Sequence, residues 1–144
     1  MSIIQRHYKE RYNNTIMDNL SPAELQKLQI ENPDKIIIIK FSAEWCAPCK
    51  KIKLLWDEWI NRVPADKFLC ITVDIEESLD LFMTFKNKKI INTIPTLMAF
   101  YGSKFIDTVR NEWYLPDDLV GGSIEDVNDF FGRCLQKIEK ETII

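Results

Sequence analysis

A chain of 144 residues is long enough to bury one substantial core and short enough to be a single domain. Apolar residues make up 46% of it and charged residues 28%, a balance that excludes disordered and fibrous classes. The formal net charge of -3 gives no global attraction to nucleic acid or to an anionic membrane, so neither is expected as a partner.

Residues 1–14 read as an N-terminal extension in which Arg6, His7, Lys9, Glu10 and Arg11 interrupt any apolar stretch of the kind a secretory signal needs. No apolar run approaches the length that crosses a bilayer. The expected location is cytoplasmic, where structural disulfides are rare, so each cysteine needs its own reading. His7, the only histidine, reads as incidental.

The elements alternate along the chain. Thr15 to Asn19 reads as a short strand. Ser21-Pro22-Ala23-Glu24 is a helix start, with Ser as N-cap, Pro in the first turn and Glu three residues on. That helix carries Leu25 and Leu28 and stops near Asn32-Pro33-Asp34. Ile36 to Ser42, apolar apart from Lys40 and Ser42, suits a central strand covered on both faces. Cys46 to Asn61 reads as a helix, with Ile52, Leu55, Trp56 and Trp59 at three- and four-residue spacing. Phe68 to Ile75 is a second buried strand, and Ser78 to Phe85 a helix turning Leu81, Phe82 and Phe85 inward. Ile94-Pro95-Thr96 opens a strand to Tyr101, and Gly102-Ser103 turns into another, Lys104 to Arg110. Residues 111–122, which hold Trp113, Tyr114 and Leu115, read as an insertion. The last helix starts at Ser123, with Ile124, Val127, Phe131, Cys134 and Ile138 as its inner face. The order β-α-β-α-β-α-β-β-α predicts an α/β fold with a mixed sheet and helices on both faces.

The chemistry concentrates in Trp45-Cys46-Ala47-Pro48-Cys49-Lys50, which follows a buried strand and opens a helix. Two cysteines three apart in a first helical turn can close a small disulfide or stand open as a dithiol. The free amides and dipole of the helix N-terminus favour negative charge, so the first thiol is acidified. Pro48 lies where a missing N–H costs little. Half of a zinc site and an inert buried pair are the competing readings. Zinc needs a second Cys or His pair, and Cys70 and Cys134 stand alone in sequence. The inert reading fits poorly with a strand–helix junction, which is usually exposed. Cys70 and Cys134 read as packing residues, and Trp56 and Trp59 as core cover rather than a ligand box. Lys86-Asn87-Lys88-Lys89 reads as a solvated helix end, where the dipole favours cations.

Phe41-Ser42-Ala43-Glu44-Trp45-Cys46-Ala47-Pro48-Cys49-Lys50 closely resembles the signature of the thioredoxin family. Ile94-Pro95-Thr96-Leu97 is similar to that family's cis-proline loop at the expected distance, and Val73-Asp74 and Tyr101-Gly102 also fit. The resemblance spans roughly Ile16 to Ile138. It implies the thioredoxin fold, with Cys46 as attacking nucleophile and Cys49 as resolving thiol. It further implies a cis Pro95 facing the disulfide, Ile94 offering backbone bonds to a bound peptide, and Trp45, Ala47 and Pro48 completing the substrate surface. The chain departs from the family pattern at five places. Ala47 stands for the commoner glycine, and Leu54 for a proline that kinks the helix. Lys40 replaces a buried acid and Cys70 a lysine that often pairs with it. Residues 111–122 replace a short connection ending in glycine. Lys40 is therefore a candidate for tuning the thiol pKa.

The function implied is that of a thiol–disulfide oxidoreductase. A Cys46 thiolate attacks a substrate disulfide, and Cys49 resolves the mixed disulfide, leaving the site oxidised. The expected partners are disulfide-containing protein substrates and an external reductase or small-thiol donor. No cofactor is expected, since the chain carries no dinucleotide-binding glycine motif. A disulfide oxidase or isomerase, or a redox-sensitive binding module using the 111–122 loop, are the alternatives.

Overall fold

The computed structural model describes residues 14–17, 19–102 and 113–142. In chain order the elements are β1 (Asn14–Met17), α1 (Pro22–Glu31), β2 (Ile36–Ser42), α2 (Ala47–Arg62), β3 (Phe68–Asp74), α3 (Leu79–Asn87), β4 (Thr96–Tyr101), β5 (Asp118–Val120) and α4 (Ile124–Thr142). The strands form one sheet in the order β1-β3-β2-β4-β5. β1 and β2 flank β3 in parallel, while β4 runs antiparallel to both β2 and β5. This is the mixed α/β sheet expected from the sequence.

The period of two along each strand divides the core between the two faces of the sheet. Ile37, Ile39 and Phe41 of β2 point to the same side as Leu69, Ile71 and Val73 of β3 and Met98 and Phe100 of β4. Leu25 and Leu28 of α1 and Leu81 and Phe85 of α3 cover that side. Ile36, Ile38, Phe68, Cys70, Leu97 and Ala99 point the other way, under Ile52, Trp56, Trp59 and Ile60 of α2 and Val127, Phe130, Phe131 and Cys134 of α4. Trp59 stacks on Phe131 with ring centroids 4.3 Å apart, locking α2 to α4. Strands covered on both sides must be apolar at successive positions, which is why β2 and β3 read as continuous runs.

Local chemistry sets the helix ends. Ser21 Oγ accepts the Glu24 N–H and the Glu24 carboxylate accepts the Ser21 N–H, the reciprocal cap read from the sequence. Ser123 Oγ accepts the Asp126 N–H in the same way at α4. The buried face of α4 differs from the expected one: Ile124 is exposed and Phe130 is buried. Val127, Phe130, Phe131 and Cys134 form an i, i+3, i+4, i+7 stripe, and Ile124 lies off its centre.

Within the segment 111–122, read from the sequence as an insertion, Asp118–Val120 is the edge strand β5, an element the sequence reading did not include. Leu97, Met98 and Ala99 of β4 face Val120, Leu119 and Asp118. Arg133 of α4 grips Asp118 through Nε and Nη2 at 2.7 and 3.0 Å, and the Asp117 carboxylate accepts the Tyr101 N–H. Trp113 packs edge-on against Phe85, and its carbonyl accepts from the Gln29 side-chain amide at 2.9 Å. Trp113 thus extends the core. The strand expected at 104–110 and the extension 1–13 lie outside the described residues.

Gly102 follows β4 and sits directly on the loop between α1 and β2. A Cβ there would overlap the Pro33 carbonyl oxygen and come within 2.9 Å of that of Lys35. Both obstacles are backbone, so no rotamer change relieves them. Gly102→Ala is expected to destabilise the fold by about 1–3 kcal/mol, the usual range for overpacking. The denaturation midpoint measures this, and an unchanged midpoint would mean that the loop yields freely.

Candidate functional site

β2 delivers the chain to the N-terminus of α2, and Cys46 is the N-cap residue there, with extended backbone. Its Sγ accepts the Cys49 N–H at 3.3 Å, in the place a serine or aspartate oxygen usually takes. Cys46 and Cys49 are joined as a disulfide, with Cα atoms 5.3 Å apart. One turn of helix brings positions i and i+3 to that separation, so the pair closes without unwinding α2. The Ile94 carbonyl oxygen lies 3.8 Å from Cys46 Sγ.

Sequence reasoning expected an exposed junction, but only 4% of Cys46 and 5% of Cys49 is accessible. Each cysteine instead meets solvent through a cleft, and the two clefts differ. Cys46 opens on one of about 490 Å³, lined also by Trp45, Ala47, Pro48, Ile75, Phe82, Lys86 and Ile94. Trp45 stays exposed at its rim while its indole N–H donates to the Glu76 carboxylate. Cys49 opens on a cleft of about 930 Å³ that it shares with Lys40, Lys50, Lys53, Thr72 and Asp74. The structure therefore gathers Trp45, Cys46, Ala47, Pro48 and Ile94 in one cleft and pairs Cys49 with Lys40 in another.

The Ile94-Pro95 peptide is cis. A Cβ on Gly122 would lie 2.9 Å from Pro95 Cδ and 4.0 Å from Pro48 Cβ, so Gly122 fits against both prolines. Sequence reasoning did not single out Gly122; its signal was a Gly-Gly pair immediately before a serine helix cap.

Lys40 is 94% buried, its accessible fraction being 6%. It points to the same face of β2 as Ile36 and Ile38, and in the sheet it stands between Thr72 and Leu97. Its Nζ is 5.5 Å from the centroid of the Trp56 ring, and the Trp56 Nε1–H donates to Thr72 Oγ1 at 3.0 Å. Burial lowers the Lys40 pKa from 10.5 to about 8; Asp57 offsets part of that and Lys53 adds to it.

Cys70 and Cys134 are free and buried between the sheet and α2 and α4. Burial pushes both thiols up, that of Cys134 to about 12 with Asp118 contributing, so both are neutral packing groups at physiological pH.

The thioredoxin family model matches residues 17–117. Among curated proteins, the chain is 33% identical over 79 residues to putative thioredoxin H10 of Arabidopsis thaliana, covering 55% of this chain and 47% of that one. It is 29% identical over 102 residues to thioredoxin 3 of Plasmodium falciparum, covering 70% and 49%. A thioredoxin of Malassezia sympodialis is 31% identical over 81 residues, covering 56% and 73%. The chain thus spans about half the length of the Arabidopsis and Plasmodium relatives. Among solved structures, a poplar thioredoxin h superposes with TM-score 0.61 at 19% identity, covering 85% of this chain and 96% of that one. The Malassezia sympodialis thioredoxin superposes with TM-score 0.60 at 20% identity, covering 83% and 91%.

Proposed function

The chain belongs to the thioredoxin family, and from that premise we propose that it is a thiol–disulfide oxidoreductase that reduces protein disulfides through Cys46 and Cys49. The observation that carries this reading is a disulfide at a helix N-terminus whose first sulfur opens on a cleft suited to a peptide. In the reduced protein, the Cys46 thiolate at the N-cap of α2 is stabilised by the Cys49 amide and the helix dipole. It attacks a substrate disulfide lying across Trp45, Ala47, Pro48 and Ile94. Cys49 then attacks Cys46 Sγ, the Cys46–substrate bond breaks, and the substrate leaves as a thiolate. Electrons return to the pair from an external reductase or a small thiol. The described chain acts as one unit in this, with its partners limited to disulfide proteins and the electron donor. No helix among the described residues is long and apolar enough to cross a membrane.

The test is turnover of a protein disulfide with a small dithiol as donor. Acceleration over the dithiol alone supports the reading, and none sinks it. A measured reduction potential separates a reductase from an oxidase. In the same assay Gly122→Ala, whose Cβ would crowd the Pro95 ring beside Ile94, is expected to slow the protein substrate about tenfold, since small misplacements of a bound substrate are expensive in rate. Oxidation by a small disulfide should change little. Equal losses for both substrates would mean that Gly122 matters to the disulfide itself and not to the peptide surface.

A further inference from the structure

Lys40 is the one buried lysine or arginine among the described residues, and nothing in the folding of the sheet calls for a cation there. Ile36 and Ile38, on the same face of β2, are apolar and pack under α2 and α4. Lys40 ends this row at the floor of the cleft that also holds Cys49.

The charges around it are mixed. α2 brings Lys50, Lys53 and Asp57; the turn after β2 brings Glu44; β3 and the turn after it bring Asp74 and Glu77. β4 contributes the apolar Leu97, and α4 contributes Phe131, packed against Trp56. Lys53 is tied to Asp57 at 2.8 Å and stands two-thirds exposed at the surface. Lys40 is the cation on the interior side of the cleft, where solvent screens least.

Cys49 is as buried as Lys40. While the disulfide is closed it carries no charge. To resolve a mixed disulfide it must become a thiolate, and an isolated thiolate in a buried position is strongly disfavoured. We propose that Lys40 is the charge partner of Cys49 once the Cys46–Cys49 disulfide is open: its ammonium stabilises the resolving thiolate as that forms and thereby sets the rate of the second half-reaction.

This rests on the oxidoreductase reading. The step balances without a further reagent. Cys49–SH gives its proton to solvent in the cleft, and its thiolate attacks Cys46 Sγ. The Cys46–substrate sulfur bond breaks as the Cys46–Cys49 bond forms. The departing thiolate carries the electron pair away, and Lys40 stays protonated throughout. Lys40 touches neither substrate nor the bond that breaks, so it is a positioning residue acting through Cys49. A depressed pKa near 8 leaves it mostly protonated at neutral pH, as the role requires.

The experiment mixes fully reduced protein with an aromatic disulfide whose thiolate absorbs visible light. Attack by Cys46 releases one equivalent at a rate proportional to reagent. Resolution by Cys49 releases the second at a rate independent of reagent. In Lys40→Met the second phase is expected to slow about tenfold or more at pH 7, and its pH midpoint to rise by about one pH unit or more, the effect of removing a nearby opposite charge. The first phase should change much less. Lys40→Gln, a polar neutral variant, is run alongside in case the methionine variant folds poorly. Lys40→Arg should restore the rate and the low midpoint. An unchanged midpoint in Met and Gln, or an arginine variant as slow as the methionine one, overturns the proposal while leaving the oxidoreductase reading intact. A wild-type protein with no second phase defeats that reading and this proposal with it.

Discussion

Cys46→Ser is expected to abolish turnover of a protein disulfide, a loss of about 10³-fold or more of the kind seen when a nucleophile is removed. Cys49→Ser should be just as inactive in turnover but should leave the protein covalently joined to its substrate through Cys46. The asymmetry follows from position. Cys46 caps α2 and lines the cleft with Trp45, Pro48 and Ile94, so a bound peptide meets its sulfur first. Its anion gains from the helix N-terminus and from the Cys49 N–H at 3.3 Å. Cys49 lies one turn into the helix, facing the interior cleft that holds Lys40. That cleft holds none of Trp45, Ala47, Pro48 and Ile94, the residues that line the cleft at Cys46. Mass spectrometry of each variant incubated with a disulfide protein, under non-reducing conditions, checks this. An adduct on the Cys46→Ser variant and none on Cys49→Ser would exchange the two roles.

Much of this architecture is legible in the sequence because its signals are local. Ser21 and Glu24 lie three residues apart and make their cap wherever a helix follows, and the near-continuous apolar runs of β2, β3 and β4 report cover on both faces directly. Cys46 and Cys49 are likewise neighbours on one turn. What was not legible depends on contacts distant in sequence. Asp118–Val120 is too short to show a strand pattern; it becomes a strand because β4 presents an unpaired edge and Arg133 holds Asp118 from α4. Trp113 lies in a segment read as an insertion, and the residues that receive it, Phe85 and Gln29, are far away in sequence. Gly122 gains its meaning from Pro95, 27 positions earlier in the chain. The near-complete burial of both cysteines was missed for the same reason, since residues from β2, α3 and the segment before β4 close around them. The odd residue of β2, Lys40, was visible as an exception to an apolar run, but its burial beside Cys49 was not.

That burial carries a second large expectation, a gain in stability on removing the lysine. In the oxidised protein Lys40 has a pKa of about 8 against 10.5 for an ordinary lysine. A folded-state value below the unfolded one means that the native state binds the proton more weakly. At pH 7 both states are protonated, and the native state bears the whole penalty of the buried charge. Between about pH 8 and 10.5 the unfolded chain keeps a proton that the native protein has released, so stability rises with pH across that window. Above it, both states are neutral and the penalty has gone. A difference of about 2.5 pH units at 1.36 kcal/mol each amounts to roughly 3 kcal/mol. Losing the contact between the ammonium and the Trp56 face offsets part of that, on the order of 0.5–2 kcal/mol. Oxidised Lys40→Met, with an unbranched apolar chain that fits the same space, is therefore expected to be about 1–3 kcal/mol more stable than wild type at pH 7. The gap should close as the pH is raised through 10.5. Denaturant titrations of both proteins at pH 7 and pH 10 measure it, and a gap that ignores pH would mean that Lys40 is effectively solvated in the cleft. Repeating the titrations on reduced protein adds the decisive contrast. If Cys49 supplies a thiolate partner there, the ammonium is compensated, and the advantage of the methionine variant should shrink with the disulfide open. A buried lysine that weakens the closed state and is repaid in the open one shifts the dithiol equilibrium toward reduction, making the protein a stronger oxidant than its methionine variant.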